Sequence, residues 1–272
     1  MLINSIRKKY GSKTVLNNCN LSISKGEIIG IIGANGSGKT TLLKILSGII
    51  KSYSGEIPIE LTNNCIGLLE TPNFWPNMSG EENLKYFLGN ENYKKELNYW
   101  KMTEYIKDMV KTYSLGMRQK LALILVFSSN REYLVLDEPT NYLDIESYKL
   151  FIDRIKYCKK NGQTVIISTH FFYRMEEYCN SIYMLNNGRL TTNLLSDTQT
   201  QCYEISFSNM EHAQKASKLI LNQSFEVHEN TLRVYIDKGC ISDIIRTVSI
   251  YNIVGIVNKY ELVELLYEKR DK

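Results

Sequence analysis

The stretch Gly33-Ala34-Asn35-Gly36-Ser37-Gly38-Lys39-Thr40-Thr41 has the residue types and the spacing to hold a phosphate group. Glycines let a backbone fold close around phosphate oxygens, so that successive N–H groups point inward. Lys39 would reach the β- and γ-phosphates of a nucleotide and the Thr40 hydroxyl would sit on Mg²⁺, the chemistry of the pattern G-x-x-x-x-G-K-[ST]. Gly33, Asn35, Gly36, Ser37, Gly38 and Thr41 complete the loop as candidate phosphate contacts. A second group, Asp137 and Glu138, directly follows the apolar run Tyr133-Leu134-Val135-Leu136. An Asp at the end of a buried strand can hold Mg²⁺ through water opposite Thr40, and Glu138 can orient and deprotonate an attacking water. Strand-end carboxylates also occur for structural reasons alone, and the phosphate loop in the same chain favours the catalytic reading. A third group, Ser114-Leu115-Gly116-Met117-Arg118-Gln119-Lys120, is a Ser/Gly loop opening the apolar helix Leu121 to Phe127. Its exposed N–H groups and helix dipole make another anion site.

The elements that must position these groups are legible in the apolar pattern. The phosphate loop follows Ile28-Ile29-Gly30-Ile31-Ile32 and precedes Leu42-Leu43-Lys44-Ile45-Leu46, which reads as strand, loop, helix. The opening, Leu2 to Ile23, has short alternating runs separated by polar turns and predicts a small antiparallel sheet. Ser54-Gly55-Glu56-Ile57 and Ile66-Gly67-Leu68-Leu69 predict further short strands, the second ending at Glu70. Phe74-Trp75-Pro76 lies in a turn-rich aromatic loop, and Ser79-Gly80-Glu81-Glu82 begins a helix with a capping pattern. Helical spacing continues to about Val110, with Leu84, Phe87 and Leu88 in phase, as a helical insertion in an α/β domain. Tyr133–Leu136 and Thr164–Ser168 are continuous apolar strands suited to a parallel sheet covered on both faces. Between them Ile145 to Cys158 is helical, with Tyr148, Ile152 and Ile155 near one face. Ile182–Leu185, Asn186-Asn187-Gly188 and Arg189-Leu190 predict a hairpin with a type I′ turn. From about Asp197 the pattern is β-α-β-β-α-β-α, a small α+β module without a Gly-rich loop or metal spacing.

Composition excludes several classes. At 272 residues with 43% hydrophobic and 23% charged side chains, the chain is globular rather than disordered. A net charge of +4 without a Lys/Arg block argues against nucleic acid as a partner. The cysteines are scattered without a C-x-x-C pair, which predicts free thiols in a reducing compartment. Arg7, Lys8 and Lys9 interrupt the first apolar residues, so no signal peptide is expected, and no apolar run is long enough to span a bilayer.

The order Gly33–Thr41, Ser114–Lys120, Leu134–Glu138, Asn141-Tyr142-Leu143-Asp144 and His170 resembles the ATP-binding cassette (ABC) ATPases. The resemblance implies a Walker A, a signature motif, a Walker B, a D-loop containing Asp144 and a switch histidine at His170. It implies the fold class α/β: a P-loop NTPase (RecA-like) core with an antiparallel β subdomain and a helical insertion, plus the C-terminal α+β module. The corresponding domains are 1–195, with the helical subdomain at about 72–130, and 196–272. Tyr10 falls where the family stacks an aromatic on adenine. The family packs two such domains head to tail, so Ser114 and Gly116 would contact the γ-phosphate bound by a second copy, while His170 would position Glu138 and the water. Two departures stand out. Gly116 is followed by Met117 rather than a second glycine, and Glu70 stands where the family has a Q-loop glutamine. An ionised Glu70 accepts hydrogen bonds or binds Mg²⁺ through water but cannot donate as an amide does.

Glu70, the segment that follows it and the signature Tyr113-Ser114-Leu115-Gly116-Met117-Arg118-Gln119 resemble the subgroup serving lantibiotic self-protection and bacitracin-type efflux. So does a C-terminal module ending in an acidic helix (Glu261, Glu264). The resemblance implies an ATP- and Mg²⁺-dependent ATPase, a homodimer, cytoplasmic and held on the inner face of the membrane by separate permease subunits. Phe74-Trp75-Pro76 and the helices after it would receive those permeases, and the cargo would be a peptide antibiotic. The alternatives are an exporter subunit for another drug or lipid cargo, and a soluble ABC ATPase in translation or repair. Against the latter stand the single cassette and the lack of a heptad array. A non-ABC P-loop ATPase is disfavoured by the signature and His170.

Overall fold

The computed structural model describes residues 1–70, 73–89, 93–169, 175, 178–191, 201–220, 224–236 and 241–259. They fall into two units, Met1–Leu194 and Leu195–Lys272. The last helix read from Tyr260 onward, with Glu261 and Glu264, lies outside the described residues, as do His170, Thr71 and Pro72.

In the first unit the order is β1 (Leu2–Tyr10), β2 (Lys13–Ser22), β3 (Ile28–Ile32), α1 (Lys39–Leu46), β4 (Ser54–Glu56), α2 (Ile59–Asn63) and β5 (Cys65–Leu68). There follow α3 (Gly80–Leu88), α4 (Lys94–Tyr99), a 3₁₀ turn at Val110–Thr112, α5 (Leu115–Phe127), β6 (Tyr133–Asp137), α6 (Ile145–Lys160), β7 (Thr164–Thr169), β8 (Ser181–Asn186) and β9 (Arg189–Leu190). Strands β5-β6-β7-β3-β8-β9 form one sheet in that order, parallel except for β9. Every residue of β3, β6 and β7 is buried, which is why these strands read as unbroken apolar runs. Strands β2-β1-β4 form the antiparallel sheet, built from two long strands rather than several short runs. Leu42, Leu43, Ile45 and Leu46 of α1 share one core with Ile29 and Val135 of the parallel sheet and Ile3, Ile6 and Leu16 of the antiparallel one. The helix carrying the phosphate-loop lysine is thereby fixed from both sides. The β8–β9 turn has Asn187 and Gly188 at φ 48° and 72°, the positive pair a type I′ turn requires.

The helical insertion is anchored by its own polar groups. Ser79 accepts a hydrogen bond from the Glu82 N–H, and Glu82 accepts from the Ser79 N–H at 2.6 Å, a reciprocal cap on α3. Asn83, wholly buried, accepts from the Trp75 N–H at 2.8 Å and donates to the Trp75 carbonyl at 3.1 Å, which ties the aromatic loop to α3. Ser79→Ala should lower stability by about 1 kcal/mol, the usual worth of such a cap; a thermal melt with an unchanged midpoint would refute it. At the far side, Arg154 of α6 pairs with Glu96 of α4, Nη2 to Oε1 at 2.8 Å, with both side chains nearly buried.

Two expectations need correction. The buried face of α6 runs through Ser147, Phe151, Ile155 and Cys158, so Tyr148 and Ile152 lie on its flank. Leu84, Phe87 and Leu88 do share helix α3, where Phe87 is exposed, edge-on to Phe74 and Tyr86 at the surface. The helix after Ser114 starts at Leu115, so Gly116 to Lys120 belong to its first turns and not to a loop. Helix α2 had no counterpart in the sequence reading.

The second unit contains β10 (Gln201–Phe207), α7 (Met210–Ser217), β11 (Ser224–His228), β12 (Thr231–Ile236), α8 (Ile241–Val248) and β13 (Ile253–Lys259). Its antiparallel sheet has the order β11-β12-β10-β13, the ferredoxin-like plait. Ile205, Phe207, Leu232 and Val234 pack there against Ala213, Ala216 and Val248. Among the described residues no helix is long and apolar enough to cross a membrane. Cys19, Cys65, Cys158 and Cys179 are free thiols, and burial pushes Cys158 up to about 11, leaving it neutral.

Candidate functional site

The C-terminal ends of β3, β6 and β7 meet at one edge of the parallel sheet, because β7 lies between the other two. That edge is where open α/β sheets bind ligands. After β3 the chain wraps through Gly36 at φ 78° and Gly38 at φ 108°, conformations open to glycine without cost. A Cβ on Gly33 would stand 2.5 Å from the Leu185 carbonyl oxygen, so the loop's first position must also be glycine. Lys39 is 6% exposed; its ammonium donates to the Gly33 carbonyl at 2.7 Å and lies 3.7 Å from Glu138 Oε1. Among the described residues, Val15, Asn35, Gly36, Gly38, Lys39, Thr40, Thr41, Asp137 and Glu138 line one cleft of about 250 Å³. Two segments almost a hundred residues apart, the phosphate loop and the end of β6, are thus brought together.

Asp137 is buried with both carboxylate oxygens engaged. Thr40 Oγ1 donates to Oδ2 at 2.6 Å, and Ser168 Oγ donates to Oδ1. Strand register explains the second contact, since Asp137 and Ser168 are direct partners across β6 and β7. Neither Ser168 nor Val15 stands out in the sequence as a site residue; the signal for Ser168 is only its place at the end of the neighbouring strand. Glu138 has φ 47°, a left-handed backbone that is uncommon for a residue with a side chain. Its N–H donates to the Ser168 carbonyl at 3.1 Å, which holds that conformation and aims the side chain into the cleft beside Lys39. An oxygen-rich set of Thr40 hydroxyl and Asp137 carboxylate suits a hard divalent cation such as Mg²⁺.

The remaining candidates lie elsewhere. Ser114 caps α5 by accepting from the Met117 N–H at 3.2 Å. A Cβ on Gly116 would come within 2.9 Å of the Tyr142 carbonyl, so α5 packs tightly on the segment before α6. Asp144 caps α6, accepting from the Ser147 N–H at 2.7 Å, and lies 3.6 Å from Lys120 Nζ; the Ser147 hydrogen bonds, with Lys120 adding, hold its carboxyl below the usual range. Gln119 Nε2 donates to the Pro139 carbonyl at 2.7 Å, joining this group to the end of β6. Glu70, at φ 63°, pairs with Lys44 of α1 at 2.6 Å. Tyr10 is half exposed, with the Lys8 ammonium 4.8 Å from its ring centre. None of Ser114, Gly116, Asp144, Glu70 and Tyr10 is in the described lining of the cleft. His170 lies outside the described residues.

Comparison with known proteins places this geometry. The family model for the ABC transporter matches residues 16–141. The uncharacterized ABC transporter ATP-binding protein YdbJ of Bacillus subtilis is 32% identical, over 90% of this chain and 86% of its own length. The lantibiotic transport ATP-binding protein SrtF of Streptococcus pyogenes is 32% identical over 69% of this chain and 87% of its own. The bacitracin transport ATP-binding protein BcrA of Enterococcus faecalis is 28% identical over 85% of this chain and 82% of its own. Among solved structures, a dimeric ATP-binding cassette in a post-hydrolysis state, bound to ADP and phosphate, superimposes with a TM-score of 0.62 at 22% identity, covering 71% of this chain and 97% of that one.

Proposed function

This chain belongs to the ABC transporter ATP-binding proteins and is an ATPase subunit, and from that premise we propose that it drives a peptide-antibiotic exporter whose membrane-spanning subunits are separate chains. The observation that carries the cargo class is the similarity to the lantibiotic and bacitracin transport proteins. The bacitracin relative aligns over 85% of this chain, so its match runs beyond the first unit into the second. Glu70 in place of the Q-loop glutamine supports the same subgroup.

In this reading the loop N–H groups and Lys39 hold the β- and γ-phosphates of ATP, and Thr40 and Asp137, with Glu70 as a further candidate ligand, would hold Mg²⁺. The cation would neutralise charge on the transferring phosphoryl group. Glu138 takes the proton of the attacking water, His170 holds the γ-phosphate, and Tyr10 stacks on adenine. Ser114 and Gly116 are absent from the described lining of this chain's own cleft, and a second copy packed head to tail would bring them to the nucleotide, with Asp144 beside them. The exposed aromatic surface of Trp75, Tyr86 and Phe87 faces a permease on the inner side of the membrane. Closure of two copies on ATP would move that permease, and hydrolysis would reset it.

Asp137→Asn tests the cation assignment. It keeps the shape but removes the negative charge and one of the two acceptor oxygens, so the Mg²⁺ needed for half-maximal ATPase should rise about tenfold or more, the worth of one lost charge-assisted bond. An unchanged Mg²⁺ titration would reject it. The function itself is tested by purifying tagged Glu138→Gln chain with ATP from detergent-solubilised native membranes. A polytopic membrane protein at matched stoichiometry is the expected companion. Recovery from the soluble fraction alone, or with ribosomes or nucleic acid, would overturn the exporter reading.

A further inference from the structure

At the opposite edge of the parallel sheet from the phosphate loop, the residues entering β6 and β7 enclose a cavity of about 690 Å³ with α4 and the end of α5. Its acidic groups are already engaged. Glu96 is paired with Arg154, and Glu132 lies 3.7 Å from Lys25, which also pairs with Glu60. Its donors are not. Lys95 and Arg131 form no ion pair with any described residue, and both are exposed into the cavity rim. Four cationic side chains, Lys25, Lys95, Arg131 and Arg154, stand against two carboxylates that are both engaged, and this surplus of positive charge fits an anion with several acceptor oxygens.

The aromatic wall narrows the class. The Tyr157 ring is covered by the Arg154 guanidinium at 4.8 Å and by the Lys95 ammonium at 5.5 Å, so it offers a ligand charge rather than a free stacking face. A nucleobase gains little there, whereas a phosphate or pyrophosphate group can take the Arg131 fork and the Lys95 ammonium together. We propose that this cavity is a second phosphate-binding site for a small phosphorylated compound, held through Lys95 and Arg131. Because Lys95 belongs to α4 and Arg131 leads into β6, a bound phosphate bridges the helical insertion to the sheet. The site is separate from the cleft at the phosphate loop and does not depend on how that cleft is read.

Inorganic pyrophosphate, titrated calorimetrically into the full chain, tests the site. The titration uses a Lys39→Ala background without divalent cation, so that the phosphate loop competes poorly. Binding should weaken about tenfold or more in Lys95→Ala/Arg131→Ala, since both charge-assisted contacts are lost. It should be unaffected in Lys107→Ala/Lys149→Ala, which removes the same net charge from exposed positions outside the cavity. Parallel cosedimentation with phosphatidylglycerol-containing and pure phosphatidylcholine vesicles separates a lipid headgroup from a free compound. Loss of vesicle binding in the Lys95/Arg131 variant, without pyrophosphate binding, would keep the phosphate chemistry but overturn the free compound as its source. No pyrophosphate or vesicle binding at millimolar concentration, or equal loss in both double variants, would overturn the site.

Discussion

Glu138→Gln should leave ATP binding intact and lower steady-state turnover roughly a hundred- to ten-thousand-fold, the range that a positioned general base contributes. That is about 2.7–5.5 kcal/mol of transition-state stabilisation. The amide keeps the size and hydrogen-bonding reach of the carboxylate but cannot accept a proton from water. The backbone is held independently of the side chain, through the Glu138 N–H to the Ser168 carbonyl, so the left-handed turn at φ 47° should survive the change. Removing a negative charge that lies 3.7 Å from Lys39 frees that lysine for phosphate, so nucleotide affinity should hold or improve. Asp137 cannot substitute as base, because Thr40 and Ser168 already occupy both of its oxygens. Nucleotide titration together with single-turnover hydrolysis separates the two effects. A variant that keeps half or more of the wild-type rate would remove Glu138 from the chemistry.

How far the site could be read from sequence depends on the range of the contacts involved. The phosphate loop, its glycines and Lys39 are local, and their chemistry follows from spacing within a few residues. Asp137 and Glu138 were legible because an unbroken apolar run marks a strand buried on both faces and carboxylates at its end are conspicuous. Ser168 was not, since its contact to Asp137 exists only through the register of two strands that sequence does not specify. Glu70 shows the other limit. Its type marked it as a departure from the family, but its pairing with Lys44 across 26 residues of chain depends on where α1 comes to rest. On helix α6, periodicity placed the apolar face on Tyr148, Ile152 and Ile155, whereas packing on the sheet buries Ile155 with Ser147, Phe151 and Cys158 and leaves the other two on the flank. A small polar residue and a thiol serve as core there, which a count of apolar side chains misses. Helix α2, a single short turn with one buried leucine, carries too little pattern to be seen at all.

Arg154→Ala should be the most destabilising single change at the junction of the helical insertion, by about 3–5 kcal/mol, because it strands a buried carboxylate. Glu96 is 5% exposed, and the Arg154 Nε donates to its two oxygens at 3.0 and 3.1 Å. The guanidinium also lies 5.0 Å from the Phe127 ring centre and donates to the Phe127 carbonyl at 3.3 Å, so truncation removes packing as well as charge. The pair spans 58 residues of sequence and joins α4 to α6, and Tyr99 adds a hydrogen bond from its hydroxyl to the Leu150 carbonyl at 2.8 Å. Trp100, fully buried and stacked on Phe127 at 6.1 Å, reports this junction by fluorescence during urea unfolding. The physical cause is tested by replacing both partners. Glu96→Met/Arg154→Met keeps the volume without leaving a lone charge, and buried pairs replaced in this way are often neutral or more stable. Recovery of most of the loss in the double variant would assign the cost to the orphaned carboxylate. A loss below about 1 kcal/mol in Arg154→Ala, the level of an exposed ion pair, would mean that the junction is held by its apolar contacts alone.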